Sequence, residues 1–312
     1  MRKRRFRIIF RSTRAFYREG RATPGYSFFD FLHGYVYSRW PYDYIGSATG
    51  ARPAPLLFRA MAGLGARLLT RKHRGADPQR NPLADSYHGK VVPLEHAERL
   101  VTFGENLDLR GLEQIIPYPV ARDIVLQHPD HIVALDCPCR AGRENPCLPL
   151  DVCLIVGEPF ASFIADHHPT HSRWITQSEA VDTLRAENER GHVHHAFFKD
   201  AMLGRFYAIC NCCPCCCGAM QAFQHGVPML ASSGYVATCD ASRCGVCGTC
   251  ASACPFGAAS VADGALQIDV TRCMGCGICV STCPRDALRL VRDPSKPEPL
   301  DIRELTGAAR TV

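Results

Sequence analysis

Apolar and polar positions follow different rhythms in different parts of the chain. Residues 6, 9, 10, 13, 16 and 17 are Phe, Ile, Phe, Thr, Phe and Tyr, one face at helical spacing with arginines on the others. This predicts a basic amphipathic helix that Gly20 ends. Residues 93–102 and 119–127 read as short helices, while 131–135, 154–156 and 206–209 read as short apolar strands. Thr176 with Glu179 makes a capping-box pattern, Ala180, Val181 and Leu184 continue it as an apolar stripe, and Gly191 marks its stop. Asp263-Gly264 between two alternating runs, 259–262 and 265–269, is a hairpin signal. Residues 71–90 show no period and are dominated by charged, turn-forming types, the composition of a linker. The expectation is an α+β chain: a helical arm over 1–75, a small α+β domain over 91–236, a compact module over 237–293 and a tail over 294–312.

Charge sharpens the picture of the arm. The first 21 residues carry nine arginines or lysines against one acid, Glu19, more positive charge than the +6 of the whole chain. Nine aromatics then fall between Tyr26 and Tyr44. A cationic helix next to amphipathic rings suits an anionic membrane surface or a partner subunit, so the arm is expected to dock peripherally on the cytoplasmic face of a membrane or on a membrane complex. The aromatics are bunched apart from the basic cluster rather than interleaved with it, so no nucleic acid is expected. Arg4-Arg5-Phe6 has the start of a twin-arginine export signal, but Arg7, Arg11 and Arg14 interrupt the apolar run that must follow. No stretch is apolar for long enough to span a bilayer; the best, residues 56–69, is broken by Arg59 and Arg67.

Nineteen cysteines decide the chemistry. They stand two or three residues apart, which fits metal ligation in a reducing, cytoplasmic compartment rather than a secreted disulfide framework. Cys244, Cys247, Cys250 and Cys254 precede Pro255, and Cys273, Cys276, Cys279 and Cys283 precede Pro284. Each set is C-x2-C-x2-C-x3-C-P. Three thiolates on a tight loop grip one face of a cubane, and the fourth, pointing away, ligates the other cluster. One [4Fe-4S] cluster is therefore expected on Cys244, Cys247, Cys250 and Cys283, and a second on Cys273, Cys276, Cys279 and Cys254. The sets repeat with a period that also aligns Ala258 with Ala287, an internal duplication. Glycines 245, 248, 275 and 277 stand between ligands, where the backbone turns about a cluster. Over 239–293 the chain resembles the bacterial two-cluster ferredoxins, which implies a dicluster fold of hairpin and short helices. Zinc sites instead pair two C-x2-C knuckles across a longer gap. Cys239 belongs to neither set and reads as a buried free thiol.

Ten further cysteines lie in the middle domain. Cys137, Cys139, Cys147 and Cys153 follow one apolar strand, and Cys210, Cys212, Cys213, Cys215, Cys216 and Cys217 follow another. Two strand ends delivering thiolates can converge on one centre, expected on Cys137, Cys139, Cys147, Cys153, Cys210, Cys212 and Cys213. Because side chains alternate along extended backbone, at most three of the six in the second run face one site. A third iron–sulfur cluster, a zinc, or thiol redox chemistry would each use such donors. Arg140 and Arg143 could hydrogen-bond the thiolates or lie in solvent. The layout of CxCR, a helix ending in Gly, CNCC and a two-cluster module resembles a group of larger bacterial and archaeal ferredoxin-like proteins over residues 91–293. That resemblance implies shared architecture and supplies no activity.

The groups His167, His168, His171 and His192, His194, His195 read as solvated. No dinucleotide fingerprint, phosphate-binding loop or haem-attachment pattern occurs, so nicotinamide, flavin, nucleotide and c-type haem lack support. The expected function is single-electron transfer between a donor and a partner oxidoreductase; the rival is a reductase whose active site is the middle cysteine cluster, fed by the module.

Overall fold

The computed structural model describes residues 10–50 and 81–309. The helices are α1 (Arg11–Ala22), α2 (Phe28–Arg39), α3 (Pro41–Ala48), α4 (Pro82–Ser86), α5 (Leu94–Thr102), α6 (Pro138–Ala141), α7 (Phe160–His167), α8 (Gln177–Glu189), α9 (Gly218–Gln224), α10 (Thr249–Ala253), α11 (Ile278–Ser281) and α12 (Ile302–Ala309). The strands of the main sheet are β1 (Tyr87–Val91), β2 (Leu107–Leu109), β3 (Ile124–Leu135), β4 (Cys153–Glu158), β5 (Ser172–Ile175), β6 (Val193–Lys199), β7 (Arg205–Cys212) and β8 (Leu230–Ala231). Their order is β2-β3-β4-β7-β6-β1-β8, with β5 also pairing β3; only β1 and β8 run parallel. One helix group, α1, α2 and α7, and another, α5 and α8, cover this sheet. The mixture of helix and strand is the α+β class expected.

The last four strands, β9 (Tyr235–Cys239), β10 (Ala259–Ala262), β11 (Ala265–Ile268) and β12 (Leu288–Arg292), build two small antiparallel pairs. In the β10–β11 hairpin Ala262 faces Ala265, and Asp263 and Gly264 both have positive φ, as a two-residue turn between right-twisted strands requires. The pair β9–β12 joins the chain's entry to this module to its exit.

Several sequence expectations change once packing is in view. Residues 119–127 are not a helix: after a turn, Ile124, Val125 and Leu126 begin β3, and Leu107–Leu109 pairs with them. β-branched side chains on a half-covered sheet outweighed an ambiguous apolar run. The expected linker at 71–90 lies outside the described residues up to 80, and beyond it fails. Asn81 caps α4, and β1 is a central strand between β6 and β8. Its polar letters misled because His88 and Lys90 are fully buried, His88 Nδ1 donating to the Ala84 carbonyl and Lys90 Nζ to that of Glu298. Polar side chains can occupy a core when hydrogen-bonded.

Gly20 does not end α1. It lies inside the helix, where a Cβ would come within 2.7 Å of the Tyr26 ring, so its role is close packing. Positions 6 and 9 of the expected amphipathic face lie outside the described residues. Much of the aromatic stretch packs within the chain: Phe16 is wholly buried edge-on to Phe31, Phe160 and Phe163, and Tyr26 donates to the Ala201 carbonyl. Phe28 and Phe29 stay exposed. Among the described residues no helix is long and apolar enough to cross a membrane. The histidines of the two groups, apart from exposed His171, are buried rather than solvated.

Candidate metal centres

In the C-terminal module Gly248 and Gly277, both at positive φ, start α10 and α11 and let each cysteine loop fold back over itself. Gly275, also at positive φ, has a different constraint: a Cβ there would lie 2.3 Å from Ser233 Oγ and from the Tyr235 carbonyl oxygen. Gly245 is instead packed under Arg285, and the residue at positive φ beside it is Val246.

Cys244, Cys247, Cys250 and Cys283 line one cavity of about 20 Å³ together with Cys239, Val261, Leu266 and Leu288. Cys247 is exposed, so this set lies nearer the surface. Cys239, expected to be a buried bystander, is half-buried and lines the same cavity as Cys244. The other set is deeper. Burial pushes the Cys279 thiol up to about 12, with the sulfurs of Cys273, Cys254 and Cys250 adding to it, and burial raises Cys276 further, again with Cys279, Cys254 and Cys273 nearby. The crossing of the fourth cysteine is thus present in the geometry: Cys254 stands with the second loop and Cys283 with the first. Backbone amides reach both sulfurs, Ala258 N to Cys254 Sγ at 3.2 Å and Ala287 N to Cys283 Sγ at 3.4 Å. The aligned alanines of the repeat are these two donors, and amide hydrogen bonds to sulfur help set a cluster's potential.

The ten middle cysteines do not form one site. Strand register places Cys153 of β4 opposite Cys210 of β7, while Cys137 caps α6 just beyond β3 and Cys217 caps α9. Cys137, Cys139, Cys153, Cys210, Cys212 and Cys217 line an apolar cavity of about 70 Å³, whose wall Cys213 and Cys216 also reach and which Tyr37, Ser38, Pro41 and Ile45 of the N-terminal helices close. Cys217 Sγ donates to Cys212 Sγ at 3.3 Å within this group. The hydrogen bond to Cys139 and burial push Cys137 up to about 12. At Cys212 a hydrogen bond to Cys217 that favours the thiolate is outweighed by burial and by neighbouring sulfurs, and the thiol is pushed up to about 12. A nucleophilic cysteine needs a lowered pKa, so Cys137, Cys139, Cys153, Cys212 and Cys217, all pushed up, are inert as bare thiols, whereas a soft cation would deprotonate them.

Cys147, Cys213, Cys215 and Cys216 gather separately, all four sulfurs within 4.8 Å of one another. Of the seven residues expected together, Cys147 stands only in this second group, whereas Cys213 belongs to it and also reaches the wall of the cavity. Cys217 was missed, and so were Cys215 and Cys216. Five of the six cysteines in the second run reach the cavity, more than the three that alternation along a strand allows, because β7 ends at Cys212 and the chain turns at Cys213-Pro214-Cys215.

Neither arginine is solvated. Arg140 is 1% exposed, ion-pairs with Glu187 and donates to the carbonyls of Pro149 and Asn211, while His192 closes on the same carboxylate. Its Nε has no partner, beside Cys137 and Cys213, and this spare buried N–H suits an acceptor such as a thiolate or sulfide. Arg143 donates to the Cys216 carbonyl and to Gln221. A third small group, His128, Asp130 and His131, lies on the bend of β3, where His131 already pairs with Glu158.

The module meets the middle domain closely. Phe256, two residues past Cys254, stands edge-on to Phe223 of α9 with ring centroids 6.1 Å apart, and Met274 and Ile278 enter the main core. Ser233 Oγ donates to the Gly275 carbonyl, and Lys296 Nζ to that of Cys273.

A family profile described as a 4Fe-4S binding domain matches residues 240–260 and again 266–289. Against the curated proteins, no match was found. The C-terminal segment is accordingly a ferredoxin-type iron–sulfur module with an electron-transfer role.

Proposed function

We propose that this protein is an electron-transfer subunit that carries two [4Fe-4S] clusters and a third iron–sulfur centre and passes single electrons between a donor and a partner oxidoreductase. Cys244, Cys247, Cys250 and Cys283 hold the outer cluster, and Cys273, Cys276, Cys279 and Cys254 the inner one. The third centre belongs to Cys137, Cys139, Cys153, Cys210, Cys212 and Cys217. The observation that carries this reading is the crossed grouping of the eight module cysteines, with the inner set facing the domain whose cavity is lined by further thiols. Iron–sulfur clusters supply the one-electron chemistry that a polypeptide lacks; the chain contributes thiolates, amide donors and burial. Iron and acid-labile sulfide on anaerobically purified protein test it: about twelve of each per chain are expected, and about eight would remove the third centre.

One feature favours the rival reductase reading. The Tyr37 and Tyr207 hydroxyls are 2.7 Å apart on the wall of the six-thiol cavity, and Lys199 Nζ stands 5.0 Å from the Tyr37 ring and 4.8 Å from that of Tyr87. Substrate reduction needs proton donors next to the redox centre, and an electron relay does not. Tyr207→Phe that abolished turnover of an acceptor while leaving the iron content intact would decide for a reductase.

The reading includes a reducing, cytoplasmic location, supported by nineteen free thiols. It also includes docking of the arm on a membrane face or partner, supported by exposed Phe28 and Phe29 next to the basic N-terminal run. Co-sedimentation with anionic vesicles, lost when residues 1–22 are removed, tests the lipid version.

A further inference from the structure

We propose that Cys147, Cys213, Cys215 and Cys216 hold a single zinc ion as a closed tetrathiolate, separate from every iron–sulfur centre of the chain. The spacing carries the argument. With Zn–S bonds of about 2.3 Å, a tetrahedron of sulfurs has edges of about 3.8 Å. Here Cys147 Sγ and Cys215 Sγ are 3.1 Å apart, Cys215 and Cys216 3.8 Å, and all four lie within 4.8 Å. Thiolates on a cubane each bind a different iron and stand farther apart. The chain supplies its own comparison: among the described residues, no three cysteines of the ferredoxin module or of the six-thiol cavity lie within that distance.

The surroundings fix those positions before any ion arrives. Arg143 donates to the Cys216 carbonyl at 3.2 Å and to Gln221 Oε1 at 2.6 Å, and Gln221 Nε2 donates back to the Cys215 carbonyl at 2.9 Å. The Cys217 amide bonds the Cys213 carbonyl and closes the turn. Cys213 and Cys216 are buried, and four thiols in mutual contact without apolar filling are what a borderline-soft, redox-silent ion requires. All four ligands come from the chain, leaving no open position, so the site is structural. It ties Cys147, on the segment after α6, to the loop after β7. Cys213 and Cys216 also reach the wall of the six-thiol cavity, so the zinc fixes that wall.

Metal analysis of the full-length, anaerobically purified protein tests this. One zinc per chain is expected, falling to near zero in Cys147→Ser and in Cys215→Ser, both at outer positions, with the iron content of the unaltered chain retained. Cys210→Ser, in the neighbouring cavity, should keep the zinc even if it lowers the iron, which separates this proposal from the fate of the third cluster. Cobalt replacing the zinc should give the visible bands of a tetrahedral thiolate complex. The idea is overturned if the chain holds no zinc, if Cys147→Ser removes iron instead, or if thiol titration finds Cys147 and Cys215 joined as a disulfide.

Discussion

Single buried side chains carry much of this protein's specificity, and two give measurable predictions. His88 is fully buried between the rings of Tyr118 and Phe198, with Nδ1 donating to a carbonyl and Nε2 bare. Burial lowers its pKa from 6.5 to about 4. Between those values the unfolded chain takes up a proton that the folded chain refuses, so stability falls as pH drops from about 6.5 to about 4 and then levels off. At about 1.4 kcal/mol per unit the loss reaches about 3 kcal/mol. Urea titrations of wild type and His88→Phe across this range should show a shallower slope in the variant; equal slopes would assign the acid sensitivity elsewhere. Arg140→Met strands Glu187 without its buried partner, and breaking such a pair costs about 3–5 kcal/mol. Denaturation midpoints should fall accordingly, whereas an unchanged midpoint would show that His192 and Arg190 suffice for that carboxylate.

Among the elements, two glycines at positive φ differ in what surrounds them. Gly264, at the hairpin tip, has open space within 4 Å of where a methyl group would stand, so Gly264→Ala should cost only about 1 kcal/mol. Gly275→Ala has the same backbone strain and a methyl driven into Ser233 and the Tyr235 carbonyl. That variant should lose the inner cluster, seen as about four fewer irons per chain, while Gly264→Ala keeps its full complement. The contrast shows where the sequence was legible. The cysteine spacing, the Asp-Gly turn and the Thr176 capping box are local and were readable, because each depends on neighbours in the chain. The partition of the ten middle cysteines was not, since strand pairing between Cys153 and Cys210, 57 positions apart, and one tight turn decide it. Strand β1 was hidden for the same reason: Lys90 looks like linker until Glu298 arrives from far along the chain.

For the molecule as a whole, the iron–sulfur module and the cysteine-rich middle domain meet at an aromatic contact, Phe256 against Phe223. Phe256→Ala should leave iron content unchanged and slow reduction of the middle centre when electrons enter through the module, as followed by rapid freezing; equal rates would place the route elsewhere. The N-terminal helices complete the same interior. Tyr37, Ser38, Pro41 and Ile45 form one wall of the six-thiol cavity, and α1 and α2 dock onto residues beyond position 158, such as Asp166, Ala201 and Met202. These helices lie early in the chain, yet they cannot take their native places until residues as far along as Met202 have been made. Until then the pocket stands open on that side, and whatever it comes to hold can enter before the chain's own earlier helices shut the door.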